Sequence, residues 1–349
     1  LKASTTLEPQ ESDATRYERN NRISRLYLVL IVGALTAMVL VALLTGRYPK
    51  TGIGNPWVLT NDPLLWNIVV NVRLPRVILA VFGGASLAAA GCVFQMLFAN
   101  PLVEPGFLGV SQGAAFGAAT AITLFGFSSL SIQLSATICG LSALILSYFL
   151  AKRFRFGGWI LRLVLSGIAV SAIFSSGLSI IKLVADPTTN LQDITFWMMG
   201  GLWNSTWDSV VSVVPIMLSV LILLFLFRWR INLLSLDDRT AHSIGLSPAR
   251  EKGLILFIAT VGTTAIISVA GLVGWVGLII PHLARRLFGS NARFSLPGSM
   301  AMGALFLLMC DTLGRTLLAG EIPLGILTSI LGAVIFILIL LRKQSGVKL

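Results

Sequence analysis

Apolar runs of about twenty residues, nearly free of charge, follow one another along this chain and are separated by short polar stretches. Eight such runs, at 26–46, 77–98, 107–126, 130–151, 159–184, 207–227, 296–318 and 323–341, have the length a helix needs to cross about 30 Å of hydrocarbon. The runs are continuous rather than alternating, which predicts helices and not the strands of a membrane barrel. A ninth stretch, residues 253–284, has no Lys, Arg, Asp or Glu, and as one helix it would measure about 48 Å, too long for a single crossing. Divided near 269–275, where Gly271, Gly274 and Gly277 suit close helix contact and a tight reversal, it yields two short spans. The prediction is therefore an all-α polytopic bundle of about ten transmembrane helices.

Composition agrees with that pattern. At 349 residues, 56% hydrophobic and 11% charged, the chain holds more apolar side chain than one soluble core could hide. Lipid is its main solvent, and its backbone polar groups must be satisfied internally. The net charge of +12 is a matter of topology: with ten spans and both termini cytoplasmic, 20 of the 26 Lys and Arg face the cytoplasm and 6 face outward. Treating 253–284 as one span leaves 15 inside and 11 outside, a weaker fit to the positive-inside rule.

Basic residues are nowhere interleaved with aromatics as a base-stacking platform requires, so no nucleic-acid partner is implied. Cys92, Cys139 and Cys310 lie inside apolar runs without pairing or metal-ligand spacing and read as packing residues. Two histidines cannot make a histidine metal cluster, and no metal site is expected. Residues 1–25 are polar and mixed in charge, without the apolar core and small-residue cleavage site of a secretory leader. They read as a disordered cytoplasmic tail before a transmembrane unit at 26–342, with a second cytoplasmic tail at 343–349.

One break between spans is unusual. In "NPLVEPGFLGVSQGAA", residues 100–115, Asn100-Pro101 ends one helix and Glu104-Pro105-Gly106 delays the next. This fragment, with "RLPR" (73–76), "LSGIAVSA" (165–172), "FWMMGGL" (196–202), "SLDDRTAHSIGL" (235–246), "GLVGWVGLIIPHLAR" (271–285), "LPGS" (296–299), "CDTLGR" (310–315) and "EIPLGILTSILGA" (321–333), resembles the FecCD-type permeases. These are the membrane subunits of ATP-binding-cassette (ABC) importers for iron-siderophore complexes, heme and cobalamin. The resemblance covers nearly the whole chain.

The resemblance implies a homodimer in a bacterial cytoplasmic (inner) membrane, with a central pathway between protomers and two ATPase subunits docked beneath. An extracytoplasmic binding protein delivers the cargo. No G-x-x-x-x-G-K-[ST] phosphate loop is present, so ATP is bound by the partner, and the chain is neither an enzyme nor a holder of a cofactor. By resemblance, residues 235–250 form the coupling segment, with Asp237, Arg239, Ala241, His242, Gly245 and Leu246 as its contact core. Asn100, Pro101 and Leu102 form the cytoplasmic gate, with Gly157 and Gly158 as hinges of a second constriction. Ser166, Gly167, Ser171, Ser175 and Ser176 of span five, with Met198 and Met199, line the pathway and outer gate. Arg73, Arg76 and Arg315 receive acidic residues of the binding protein, a task suited to guanidinium forks, although Glu321 could instead neutralise Arg315.

The expected cargo is a ferric siderophore or another metal chelate, with heme, cobalamin or molybdate as alternatives. Some positions depart from the family pattern: Ala292-Arg293 stands for a His-Arg pair, a proline near Glu321 is missing, and Ala333-Val334 replaces a common Gly-x-Pro-x-Phe ending. These leave the coupling segment intact and bear on the subfamily. The rival from another class is an ion-coupled secondary transporter, which needs an ionisable residue near the midplane. Asp311 and Glu321 fall toward helix ends and Lys182 lies near the outer surface. An intramembrane hydrolase would need a paired nucleophile and base, and the spans offer none.

Overall fold

The structure, a computed structural model, describes residues 13–48, 52–53, 62–318 and 320–344. Fourteen α-helices follow one another: α1 (Asp13–Leu44), α2 (Pro63–Ile68), α3 (Leu74–Leu97), α4 (Val110–Phe125), α5 (Ser129–Arg153), α6 (Trp159–Val184), α7 (Asn190–Met199), α8 (Trp207–Leu226), α9 (Arg228–Leu234), α10 (Asp238–Ser243), α11 (Pro248–Ala270), α12 (Val276–Phe288), α13 (Ala292–Thr316) and α14 (Leu324–Gln344). A π-helical turn, Val69–Arg73, joins α2 to α3, and a 3-10 turn, Pro105–Leu108, precedes α4. The strand content described is one two-residue antiparallel ribbon, Thr45–Gly46 with Gly52–Ile53.

Among the described residues, eight helical stretches are long and apolar enough to cross a membrane, and α4, at 16 residues, is a shorter apolar helix. With the 13-residue α12 these make ten, as the hydropathy pattern predicts. The charge-free stretch 253–284 does divide, but unequally. Helix α11 is full length because it begins at Pro248, taking Arg250, Glu251 and Lys252 into its first turn. Helix α12 extends only about 20 Å. Residues 271–275, which are not helical, return the chain from the end of α11 into the bundle, where Gly277 meets the α3 backbone at Leu87 and Gly91. Non-helical backbone at that depth survives because protein surrounds it: Gly271 and Val273 are buried.

Helix α3 is the central post. Of its apolar window 83% is buried, against 6% for α1 on the perimeter, and it packs on α8, α11, α12 and α13. Small residues make that closeness possible. At Gly84 and Gly303 the α3 and α13 backbones approach until a Cβ on either would lie 2.2–2.3 Å from a carbonyl oxygen of the other. Gly113 and Gly117, one turn apart on α4, meet Cys139 and Ser135 of α5 in the same way, the small-xxx-small contact of lipid-embedded helices.

The predicted tail is corrected in part: α1 starts at Asp13, so the polar residues 13–25 are its first turns. Glu18 and Arg22 stand at the i, i+4 spacing that supports an exposed helix. Residues 1–12 and 345–349 lie outside the described residues. The three cysteines are free thiols, Cys92 and Cys310 buried and Cys139 half-buried.

Candidate functional site: two opposite ends of one bundle

At the end of the bundle where α3 begins, three arginines converge. The π turn ends on Arg73 and leaves it only 7% exposed. Its guanidinium donates to the carbonyls of Leu43 (2.8 Å) and Tyr48 (3.3 Å). Arg315 donates to Ala42 O and, at 2.7 Å, to Thr45 O. Together the two satisfy carbonyls that the end of α1 leaves unpaired, and Gly46 admits the Arg73 guanidinium because a Cβ there would fall 2.0 Å from it.

Arg76 serves differently. Its Nε donates to Asp311 Oδ1 at 2.8 Å and its Nη1 to Glu321 at 2.9–3.0 Å. Asp311, 2% exposed, also lies 3.7 Å from Arg315. Glu321 therefore neutralises Arg76 rather than Arg315. A cavity of about 220 Å³ opens beside Arg47, Tyr48, Arg73, Arg76, Arg315 and Glu321.

At the opposite end, where α3 stops, the chain turns sharply. Ala99 sits at φ 48, Asn100 Oδ1 accepts from Leu102 N at 2.9 Å, and Asn100, Pro101 and Leu102 are exposed. Glu104 follows, half-buried, its carboxylate against Gly277 at the head of α12. Burial pushes that carboxyl up to about 7. Gln95 ties the same helices, donating to Leu278 O at 2.9 Å and accepting from Arg285. A cavity of about 450 Å³ there is lined by Asn100, Pro101, Ser235, His282, Arg285 and Arg286, among others. Gly157 (φ 62) and Gly158 precede α6 and do not line this cavity.

Ser235, in that cavity, adjoins the segment 237–246. Asp237 caps α10 by accepting from the backbone of Arg239 and Thr240, both at 3.3 Å, and those bonds hold its carboxyl below the usual range. Ala241 is fully buried, while Asp237, Arg239, His242 and Gly245 are exposed. Gly245 takes φ +85 and Leu246 N returns to Ala241 O at 3.2 Å, closing the helix with the left-handed residue such an end favours. Leu236 and Ile244 are 45% and 52% exposed. The residue pattern marked neither, although apolar side chains bared beside a charged helix suit a protein contact.

Span five divides by face. Ser166 and Gly167 are buried, Ser166 donating to Arg162 O at 2.8 Å and Gly167 lying on the 3-10 turn at Phe107 and Leu108. Both are taken up in packing. Ser171 is half-buried near Gly109, and Ser175 and Ser176 face outward. Met198 is half-buried and Met199 39% exposed at the end of α7. There Gly201 N donates to Ala270 O at 2.7 Å, and Leu324 N to Gly200 O at 2.8 Å, so α7, α11 and α14 share a backbone junction.

The FecCD transport family model matches residues 19–342. The molybdate import system permease protein MolB of Haemophilus influenzae is 36% identical over 331 residues, covering 92% of this chain and 97% of MolB. A Helicobacter pylori permease assigned to iron chelatin transport is 41% identical over 281 residues, covering 80% of this chain and 83% of its own length. A solved structure, an inward-facing conformation of a metal-chelate type ABC transporter, superimposes with a TM-score of 0.84 at 35% identity, covering 90% of this chain and 98% of that one.

Proposed function

The chain belongs to the FecCD transport family, and from that membership we propose that it works as a homodimer passing an iron chelate into the cytoplasm. It is a multi-pass permease subunit of an ABC importer for metal-chelate-type substrates, and it is not an enzyme: in such transporters the ATPase is a separate subunit.

The observation that carries the mechanism is the division of labour between the ends. Asn100 and Pro101 share a cavity with Ser235, which adjoins the segment from Asp237 to Leu246, and Arg73, Arg76 and Arg315 share the other end. The first end faces the cytoplasm, where the ATPase grips Asp237, Arg239, His242 and Gly245, with Leu236 and Ile244 filling its cleft. Ala241 and Leu246 hold that segment on the bundle. Nucleotide binding then shifts the dimer between outward and inward states. Gly157 and Gly158 supply the second inner constriction. Ser171, Ser175, Met198 and Met199 form the wall and outer gate, supported from behind by Ser166 and Gly167.

At the outer end a delivery protein docks through carboxylates. Because Arg73 and Arg315 are committed to α1, an incoming acid competes with Glu321 for Arg76, whose fork suits bidentate pairing. The ion-coupled alternative loses its best candidate here, since Asp311 is held by Arg76.

Iron chelate is favoured by the 41% identity to the iron chelatin permease, and molybdate is the second reading because MolB aligns over nearly its full length. Liposomes containing this chain, its ATPase and its delivery protein should accumulate radiolabelled ferric chelate only with internal ATP. Uptake of labelled molybdate without ferric chelate would reverse the cargo assignment, and uptake by this chain alone under an ion gradient would overturn the importer mechanism.

A further inference from the structure

A buried lysine sits where the coupling segment meets the bundle. Lys252, in the first turn of α11, is 3% exposed, and its ammonium lies 2.7 Å from Asp238 Oδ1 on α10. A lysine at that depth is stable only when paired. Its neighbour Glu251 grips the other flank: Oε2 binds Arg230 of α9 at 2.9 Å and Oε1 accepts from Ser247 N at 3.2 Å. Two adjacent residues thus fasten both arms of the 228–247 loop to the head of one helix.

That helix runs uninterrupted for 23 residues, about 35 Å, between α3, α5 and α8. Its far end is fixed by backbone rather than by side chains. Ala270 O accepts from Gly201 N, and Gly271, at φ +67, lies so close to Trp197 O that a Cβ would sit 2.1 Å from it. Gly200 and Gly325 likewise press on Leu272 O. One junction is an ion pair between a buried lysine and an exposed aspartate, the other a glycine contact that excludes any side chain.

We propose that α11 is the rod that carries movement of the coupling segment to α7, and that Lys252 is the positioning residue joining rod to segment. The inference rests on the reading of residues 237–246 as the ATPase contact. It deepens that reading by naming the route through which the contact reaches the outer gate.

The test uses the reconstituted transporter with its ATPase and delivery protein. An environment-sensitive probe on Thr195→Cys, an exposed position of α7, reports the gate, and cross-linking from Ser243→Cys reports ATPase contact. ATP should shift the probe signal in the otherwise unaltered chain. In Lys252→Met, hydrolysis should continue while the probe response and the uptake per ATP both fall at least about fivefold, the scale of a 1 kcal/mol coupling. The exchange Asp238→Lys with Lys252→Asp should restore both, which simple loss of packing would not allow. If Lys252→Met fails to assemble, Asp238→Asn removes the partner from the exposed side and is read the same way. An unchanged probe response and uptake per ATP in these variants, with Ser243 still cross-linking, overturns the rod alone. Absence of any Ser243 cross-link in the unaltered chain overturns the coupling segment itself.

Discussion

At the scale of single residues, Arg73 and Arg315 hold the end of α1 in place. Of α1's apolar window only 6% is buried, and the bonds from Arg73 to Leu43 O and from Arg315 to Ala42 O tie its end to the bundle. Charge-assisted bonds of this kind contribute about 1.5–3 kcal/mol each. Arg73→Ala should lower the unfolding midpoint in detergent and raise cysteine accessibility near Ala42, whereas Arg76→Ala should leave α1 in place and weaken delivery-protein binding. Equal loosening of α1 by both changes would contradict this division. Glu104 makes a second prediction. Its carboxyl is raised to about 7 by burial, so the native turn prefers the protonated form. The stability this confers is complete below the ordinary carboxylate range and is lost as pH rises through about 7. The thermal midpoint should therefore fall between pH 5 and 8, and Glu104→Gln should flatten that fall. The sequence displayed all of these residues but could not assign their partners, because Arg76 and Asp311 meet across 235 positions.

Among elements, what was legible followed burial. Runs without charge became helices nearly where the hydropathy pattern put them, because hydrocarbon tolerates no other open backbone. Boundaries shifted where charges lie at a helix head: Arg250, Glu251 and Lys252 begin α11 although they look like connector. The π turn at Val69–Arg73 had no pattern to reveal it, since an extra residue in a turn changes hydrogen bonding and not composition. Helix pairs give the clearest test. Gly117 of α4 would place a Cβ 2.2 Å from Ser135 O of α5, so Gly117→Val must part the helices. A loss of about 1–3 kcal/mol, typical of overpacking, should show as a lower unfolding midpoint in detergent. Gly126→Ala meets nothing within 4 Å but sits at φ +70 and ψ −170, a region essentially reserved for Gly, so its cost of about 1–3 kcal/mol should be backbone strain alone, with the α4–α5 contact left intact.

For the whole molecule, the decisive quantity is which end faces which solution. With ten spans, 20 basic residues fall on the side of segment 235–250 and 6 on the side of the arginine cluster, and at about 1 kcal/mol per Lys or Arg near an anionic leaflet that imbalance predicts the orientation proposed above, with segment 235–250 inside. Ser235 and Asn100 line one cavity, so the proposed gate and the proposed coupling segment lie at one end of the bundle. A membrane-impermeant thiol reagent applied to intact cells should therefore label Arg47→Cys and spare Ser243→Cys, and inverted vesicles should show the reverse. An ATPase can act only where its nucleotide is, so under the proposed orientation movement begun near His242 has to cross the full thickness of the bundle to reach α7. Labelling of Ser243→Cys from outside intact cells would leave no motor within reach, and the importer mechanism would fall with it.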